Sequence, residues 1–292
     1  MAKLFQTLIS GLSLGSIYAL IALGYTMVYG IAKMLNFAHG DVIMVGAYAV
    51  ITTVFLCHMP PVIGIILSII ICALLGVTIE FLAYRPLRQA PPLSVLITAI
   101  GVSYLLQSLS QIIFGSAPKM VIIADLGKLE IGSLSIPVYV LVTLVSTIVV
   151  MAALNLFVKF TKIGRAMIAV SEDRAAAQLM GINVNRIITI TFAIGSGLAA
   201  LAGLFYLLKA PSLSNTFGSM PGIKAFTAAV IGGIGSIPGA MLGGILLGLV
   251  ETVSYKFAAI APYTDAIEFS ILIIILLVRP SGFLGKKRRE KV

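Results

Sequence analysis

Residues 222–244 form the stretch that decides the fold, GIKAFTAAVIGGIGSIPGAMLGG. The stretch is apolar, but Gly232, Gly233 and Gly235 interrupt it. Its first apolar segment, 222–235, is too short to cross a hydrocarbon layer about 30 Å thick at the helical rise of about 1.5 Å per residue. Short interrupted helices of this kind lie inside a bundle, where the rest of the protein covers their free backbone groups. The stretch therefore predicts a membrane protein whose core contains a broken helix.

The rest of the chain has the composition of a membrane protein. Of its 292 residues, 60% are hydrophobic and 10% are charged, whereas soluble domains are about 45–50% apolar and 25% charged. Such continuous apolar runs favour spanning helices over the alternating pattern of a β-barrel. We expect an all-α, polytopic transmembrane helix bundle with a retained first helix, in which residues 1–292 form one domain. The nine apolar segments are at about 5–30, 41–57, 61–83, 93–114, 136–158, 187–208, 222–235, 237–256 and 265–279.

The charged residues indicate how the chain is oriented. The formal net charge is +10, and the basic residues collect in loop 84–92, loop 159–186 and the tail 279–292. Connections rich in lysine and arginine stay in the cytoplasm, so these three are expected there. Alternation of the apolar segments then places the N-terminus outside. Basic residues confined to short membrane connections do not form a face for nucleic acid, which we therefore exclude as a partner.

One face of the first apolar segment carries small residues and tyrosines. The favoured interpretation is close helix packing, because small residues let a neighbouring helix approach. The alternative is that the tyrosines line a pathway. The residues of this face are spaced by three or four: Gly11, Gly15, Tyr18, Ala22, Tyr25 and Tyr29.

Five ionisable residues are expected at membrane depth. Charges there are expensive and often functional, although each of these also has a structural interpretation. Asp41 suits the positive end of a helix, and Glu80 is close enough in sequence to pair with Arg85. Glu251 is the deepest candidate for an intramembrane charge. The five residues are His39, Asp41, Glu80, Glu251 and Glu268.

No catalytic or nucleotide-binding constellation is visible. The phosphate-binding pattern GxxxxGK[ST] is absent, and Cys57 and Cys72 lack the spacing of metal ligands. We therefore expect neither an enzyme nor a metal or cofactor bound by this chain. If ATP drives its activity, another chain hydrolyses the nucleotide.

The basic segment 163–186 reads IGRAMIAVSEDRAAAQLMGINVNR. Its centre predicts a short helix over Ser171–Met180, capped by Ser171, with Glu172 and Asp173 in the first turn. Gly181 would end the helix in a left-handed turn. A short capped helix between two spans fits a groove on a cytoplasmic partner, but an ordinary amphipathic loop is an equally good interpretation of the composition.

At this segment the sequence resembles the membrane subunits of bacterial ABC importers, whose coupling helix carries the pattern EAAxxxG. Residues 175–181 keep the spacing and the final glycine, with alanine in place of the glutamate. Further stretches resemble the LivH-type permease family of branched-chain amino-acid importers. They are GLSLGSIYALIALGYTMVYGI at 11–31, LNFAHGD at 35–41, AYRPLR at 83–88, residues 222–244 as quoted above, and RPSGFLG at 279–285.

The resemblance implies a type II importer permease in the bacterial inner membrane. The expected partners are a homologous LivM-type permease, two cytoplasmic ATPase subunits that use ATP and magnesium, and a periplasmic binding protein that delivers leucine, isoleucine or valine. The surrounding lipid is the other expected contact. The resemblance implies that the ATPase subunits dock on the segment containing Ser171, Glu172, Asp173, Ala176, Ala177 and Gly181.

The helix breaks predict where a substrate would pass, because unwound segments offer backbone donors at the midplane without fixed charge. The candidates at the breaks are Asn36, His39, Gly40, Gly232, Gly233 and Gly235, and the secondary candidates are Tyr18, Tyr25 and Thr26. Other functions stay open at this point: the same architecture with urea, amides or other amino acids as substrate, a nucleotide-independent channel or secondary transporter, and, with least support, a membrane enzyme.

Overall fold

The computed structural model describes residues 2–123, 126–131 and 134–285. Eight helices in these ranges are long and apolar enough to cross a membrane, namely the first five, the eighth, the tenth and the eleventh. The expectation of an all-α polytopic bundle is thereby confirmed. The helices are α1 (Ala2–Ala32), α2 (His39–Ile51), α3 (Pro61–Ile79), α4 (Pro92–Phe114), α5 (Val138–Phe160), α6 (Lys162–Glu172), α7 (Arg174–Leu179), α8 (Val184–Lys209), α9 (Ser219–Gly232), α10 (Ile237–Lys256) and α11 (Thr264–Val278).

Short irregular turns extend three of these helices. A π-helical turn, Thr52–Leu56, follows α2, and a 3-10 turn, Ala261–Tyr263, precedes α11. A π-helical turn, Glu80–Tyr84, and a 3-10 turn, Arg85–Leu87, follow α3. Of the basic tail predicted to be cytoplasmic, residues 286–292 lie outside the described residues.

Two small antiparallel ribbons were not expected from the sequence. β2 (Lys128–Ile131) pairs with β3 (Leu134–Pro137) as a hairpin between α4 and α5. β1 (Lys119–Met120) pairs with β4 (Ser212–Leu213) and so joins the connection after α4 to the connection after α8.

The centre of the bundle is built on α1, which packs closely against α10. A Cβ atom added to Gly15 would lie 2.7 Å from the Cα atom of Ile245, which is closer than two carbon atoms can approach. Gly11 faces Leu249 of α10 in the same way. Residues without a side chain let two helices approach to backbone contact. The packing interpretation of the glycine and tyrosine face of α1 is therefore correct for its glycines.

Helix α9 is the short, interrupted element that the sequence predicts. It has 14 residues and does not qualify as a span. It ends where Gly233 and Gly235 adopt left-handed backbone conformations, with φ of +103° and +96°. The chain after α11 folds back here, and the amides of Phe283 and Leu284 donate to the carbonyls of α9's last turn, each at 2.9 Å. The broken end is thereby covered by protein, as backbone at membrane depth requires.

Candidate translocation path and coupling segment

The start of α2 lies inside the bundle, where it packs against the start of α9 and the second half of α1. His39 and Asp41 are buried, and the rings of His39 and Tyr25 meet edge to face with centroids 4.6 Å apart. A Cβ atom on Gly40 would lie 2.7 Å from the carbonyl oxygen of Gly218, the residue before α9. The non-helical segment 33–38 thus returns the chain into the interior and places two helix N-termini side by side.

A narrow crevice borders this segment, and in this conformation it is too tight to hold a water molecule. Two predicted pathway residues, Tyr25 and Asn36, line it, and Asn36 also accepts a hydrogen bond from Tyr84 at 2.9 Å. Ile234, between the glycines of the α9–α10 break, lines the same crevice. The two helix breaks therefore meet at one place. The remaining lining residues are Tyr29, Met34, Leu35, Phe226 and Ala229.

The other pathway candidates on α1, Thr26 and Tyr18, do not line the crevice. Thr26 is buried, and its hydroxyl has no hydrogen-bond partner among the described residues. Tyr18 lies on the same face of α1 as Tyr25 but two turns away, where it donates to the carboxylate of Glu251 at 2.6 Å. Tyr18 is thus part of a separate cluster of buried charges.

Lys224 is the centre of that charged cluster and was missed by sequence reasoning. Its Nζ lies 3.0 Å from Glu251, 2.8 Å from Asp265 and 3.2 Å from Glu268. Lys224, Glu251 and Glu268 are buried, whereas Asp265 is half-exposed. The signal was present in the sequence, because Lys224 is a lone cation in an apolar segment and buried charges require partners. The cluster ties α1, α9, α10 and α11 together.

Asp41 is the centre of a second polar cluster. As its position in the first turn of α2 predicts, it lies at a helix N-terminus. Its carboxylate accepts hydrogen bonds from Ser103 and from Gln107, the latter at 2.9 Å. Gln107 also contacts the hydroxyl of Ser219 at 3.4 Å. The cluster links α2, α4 and α9, and Ser103 and Gln107 were not predicted to take part.

Glu80 has a different partner from the one predicted. It pairs with Arg88 instead of Arg85 and accepts a second hydrogen bond from Thr189 at 2.7 Å. The irregular turns after α3 contain Pro86 and bring Arg88 back towards Glu80. Arg85 instead lies over the ring of Phe81, 5.2 Å from its centroid.

Residues 163–186, the candidate coupling segment, contain most of α6 and all of α7, where the sequence predicted one helix capped by Ser171. The cap is Asp173, whose backbone is extended and whose carboxylate accepts from the amides of Ala175 and Ala176 at 2.9 and 3.1 Å. The Ser171 hydroxyl donates instead to Ile168 within the last turn of α6. A carboxylate is the better acceptor for free amides at a positive helix end, which explains the choice of Asp173.

The end and the faces of α7 agree with the sequence. Gly181 has a left-handed φ of +81°. Glu172 closes α6, Ala176 is exposed and Ala177 is buried against the bundle. At the end of α7, Leu179 and Met180 are 88% and 82% exposed. Two large apolar side chains at the tip of a capped helix form a surface suited to a protein partner.

Arg174, the first residue of α7, connects this segment to α1. Its guanidinium donates to the carbonyl of Ile31 at 3.1 Å and to that of Ala32. Burial lowers the pKa of Arg174, and the nearby Arg88 lowers it further. Sequence reasoning did not single out this residue.

The spans, the paired helix breaks and the buried polar clusters together define a multi-pass membrane permease. The family model described as "Branched-chain amino acid transport system / permease component" matches residues 7–276. The chain belongs to this family, as its LivH-type resemblance predicted.

The chain is also similar to individual proteins over most of its length. The chain is 42% identical to the high-affinity branched-chain amino acid transport system permease protein LivH of Salmonella typhimurium, over 98% of this chain and 97% of that protein. It is 43% identical, over the same shares, to the permease protein BraD of Pseudomonas aeruginosa. It is 27% identical to the ribose import permease protein RbsC of Haemophilus influenzae, over 94% of this chain and 84% of that protein. The solved structure of PsaBC from Streptococcus pneumoniae in complex with Fab aligns with 99% of this chain and 92% of its own, at 15% identity and a TM-score of 0.41.

Proposed function

We propose that this chain is one of two membrane-spanning permease subunits of an ATP-driven importer for leucine, isoleucine and valine. The observation that carries the proposal is the match over nearly the whole chain to LivH and BraD. The paired helix breaks beside the crevice support it independently, because discontinuous helices are the usual substrate sites of transporters.

The residues that line the crevice suit a zwitterion with an apolar side chain once the crevice widens. Met34, Leu35 and Phe226 offer apolar surface, whereas Asn36 and two tyrosines offer polar groups. The N-termini of α2 and α9 lie side by side, and the positive end of α9 favours a carboxylate, since Asp41 already occupies that of α2. In this account Tyr25, Asn36, His39 and Gly40 belong to the path, together with Ile234 of the α9–α10 break. Gly232, Gly233 and Gly235 shape that break, and the first two pack against Gly239 and Gly285. Tyr18, Thr26 and Glu251 support the helices around it.

The energy source lies outside this chain. Two partner ATPase subunits bind ATP and magnesium and dock on segment 163–186, with Leu179 and Met180 inserted into a groove of one of them. This chain binds no cofactor of its own. A LivM-type permease covers part of the apolar surface that α3, α4, α5 and α11 expose, and lipid covers the remainder. A periplasmic binding protein delivers the amino acid to the outer face.

A second candidate is the same machine with another substrate. The similarity to RbsC supports this candidate. RbsC is a ribose import permease by name, so similar chains can serve different solutes. Urea, amides and other amino acids belong to this alternative. A nucleotide-independent channel has less support, because it gives no purpose to the exposed, capped α7.

The test is ATP hydrolysis by the purified complex of both permeases and both ATPases in lipid nanodiscs. The binding protein is added empty or loaded with leucine, isoleucine, valine, urea, acetamide or ribose. Stimulation by the three branched-chain amino acids over the empty protein is the expected result. If only a solute other than these three stimulates hydrolysis, that solute is the substrate instead. Equal hydrolysis with the empty and all loaded forms would contradict coupling between transport and ATP hydrolysis.

A further inference from the structure

The carbonyl groups at the end of α1 are bound by a side chain from the coupling segment. The last carbonyls of a helix have no partner within the helix, and a cation there also complements the negative end of the dipole. Arg174 fills both roles, since its Nη2 donates to Ile31 at 3.1 Å and to Ala32. Bonds of this kind to a charged donor are among the stronger ones in proteins.

The two ends of this link have different surroundings. On one side, α7 begins at Arg174 and ends a few residues later at the exposed Leu179 and Met180. On the other side, α1 ends at Ala32, and Lys33 follows in a left-handed conformation with φ of +53°. The chain then enters the non-helical segment 33–38, which lines the crevice.

The coupling segment also contacts α5, α8 and, through α6, α1 itself. Gly164 of α6 packs against the backbone of Val158 in α5. The turn after α7, in which Ile182 donates to the carbonyl of Ala177 at 3.0 Å, leads directly into α8. Arg174 differs from these contacts, because it hydrogen-bonds the last carbonyls of α1, after which the crevice segment starts.

We infer that Arg174 is a positioning residue that passes movement of α7 to segment 33–38 and thereby couples ATP use to opening of the crevice. This rests on the proposed function, in which an ATPase subunit docks on α7. A displaced α7 pulls on the carbonyls of Ile31 and Ala32, and the unwound chain that follows them moves first, because it lacks helical hydrogen bonds. Leu179 and Met180 bind the partner, whereas Arg174 transmits the movement.

The experiment compares three variants in the full complex. Arg174→Gln removes the charge while keeping a side chain of similar polarity, and Arg174→Lys keeps charge and donors. Lys162→Gln is the matched control, because Lys162 is an exposed cation at the start of α6. The first readout is leucine imported per ATP hydrolysed in proteoliposomes. The second is maleimide labelling of Leu35→Cys with and without ATP, in a background in which Cys57 and Cys72 are replaced by alanine.

We expect Arg174→Gln to assemble into the complex and to import at least about tenfold less leucine per ATP, which corresponds to losing a charged hydrogen-bond pair. The ATP-dependent change in labelling at position 35 should disappear. Arg174→Lys should retain much of both, and Lys162→Gln should match the wild type.

Wild-type values of both readouts in Arg174→Gln would overturn the inference. Failure of that variant to assemble would also overturn it, since Arg174 would then serve docking. If the wild-type complex imports no leucine, the proposed function fails instead, and the labelling comparison between wild type and Arg174→Gln still judges the role of Arg174.

Discussion

Replacing Lys224 by methionine should destabilise the protein more than any other single charge removal described above. The substitution leaves Glu251 and Glu268 buried without their cation, and both carboxylates lie within 3.2 Å of Nζ in the structure. Asp265 is half-exposed and contributes little, because solvent screens it. Removing one member of a buried ion pair costs about 3–5 kcal/mol, so we expect a loss in this range.

The assay is thermal unfolding of the detergent-solubilised chain in a background in which the exposed Cys57 is replaced by alanine. Unfolding is followed by the reaction of the buried Cys72 with a thiol-reactive fluorophore. A loss of about 3–5 kcal/mol lowers the apparent melting temperature by roughly 10 °C for a chain of this size. Lys162→Met is the control, because Lys162 lies exposed at the start of α6, and it should shift the midpoint by no more than about 2 °C.

A second substitution tests the cause. Glu268 is fully buried, and its carboxylate oxygens have no hydrogen-bond donor among the described residues besides the ion pair with Lys224. Glu268→Gln should therefore restore part of the stability lost in Lys224→Met, since it removes an unpaired charge. If Lys224→Met melts like the control, or if the second substitution adds its own full loss, the buried ion-pair account of this cluster is wrong.

Two further predictions concern packing and capping. Gly15→Val should prevent the approach of α1 to α10 and yield aggregated protein in size-exclusion chromatography. Gly101→Val, whose site has no neighbouring atom within 4 Å, should elute normally. Normal elution of both variants would contradict the packing account. Asp173→Ala should lose the cap of α7, worth about 1 kcal/mol, and reduce the binding-protein-stimulated ATP hydrolysis severalfold, whereas Ser171→Ala should not. Equal losses of ATP hydrolysis in Asp173→Ala and Ser171→Ala would contradict the assignment of the α7 cap to Asp173.

Features that depend on neighbours along the chain could be predicted from the sequence. The apolar runs identified the spans, and the glycines after residue 231 identified the end of α9, because hydrophobic length and left-handed turns are local properties. The break before α2 and the turn at Gly181 belong to the same class. These elements contain most of the predicted pathway and coupling residues.

Features that depend on contacts between distant segments could not be predicted. Asp173 rather than Ser171 caps α7, because α6 continues to Glu172 while it packs on the bundle. Glu80 finds Arg88 through irregular turns that local propensity does not specify. Lys224 and Arg174 matter through partners between 27 and 143 positions away, which a single sequence does not bring together.

The most direct test of the central claim is leucine uptake into proteoliposomes that contain this chain, its partner permease, both ATPase subunits and the leucine-loaded binding protein. We predict accumulation of leucine with ATP and magnesium and no accumulation when either ATP or the binding protein is omitted. Uptake that continues without ATP would contradict the account and identify the chain as a channel or secondary transporter.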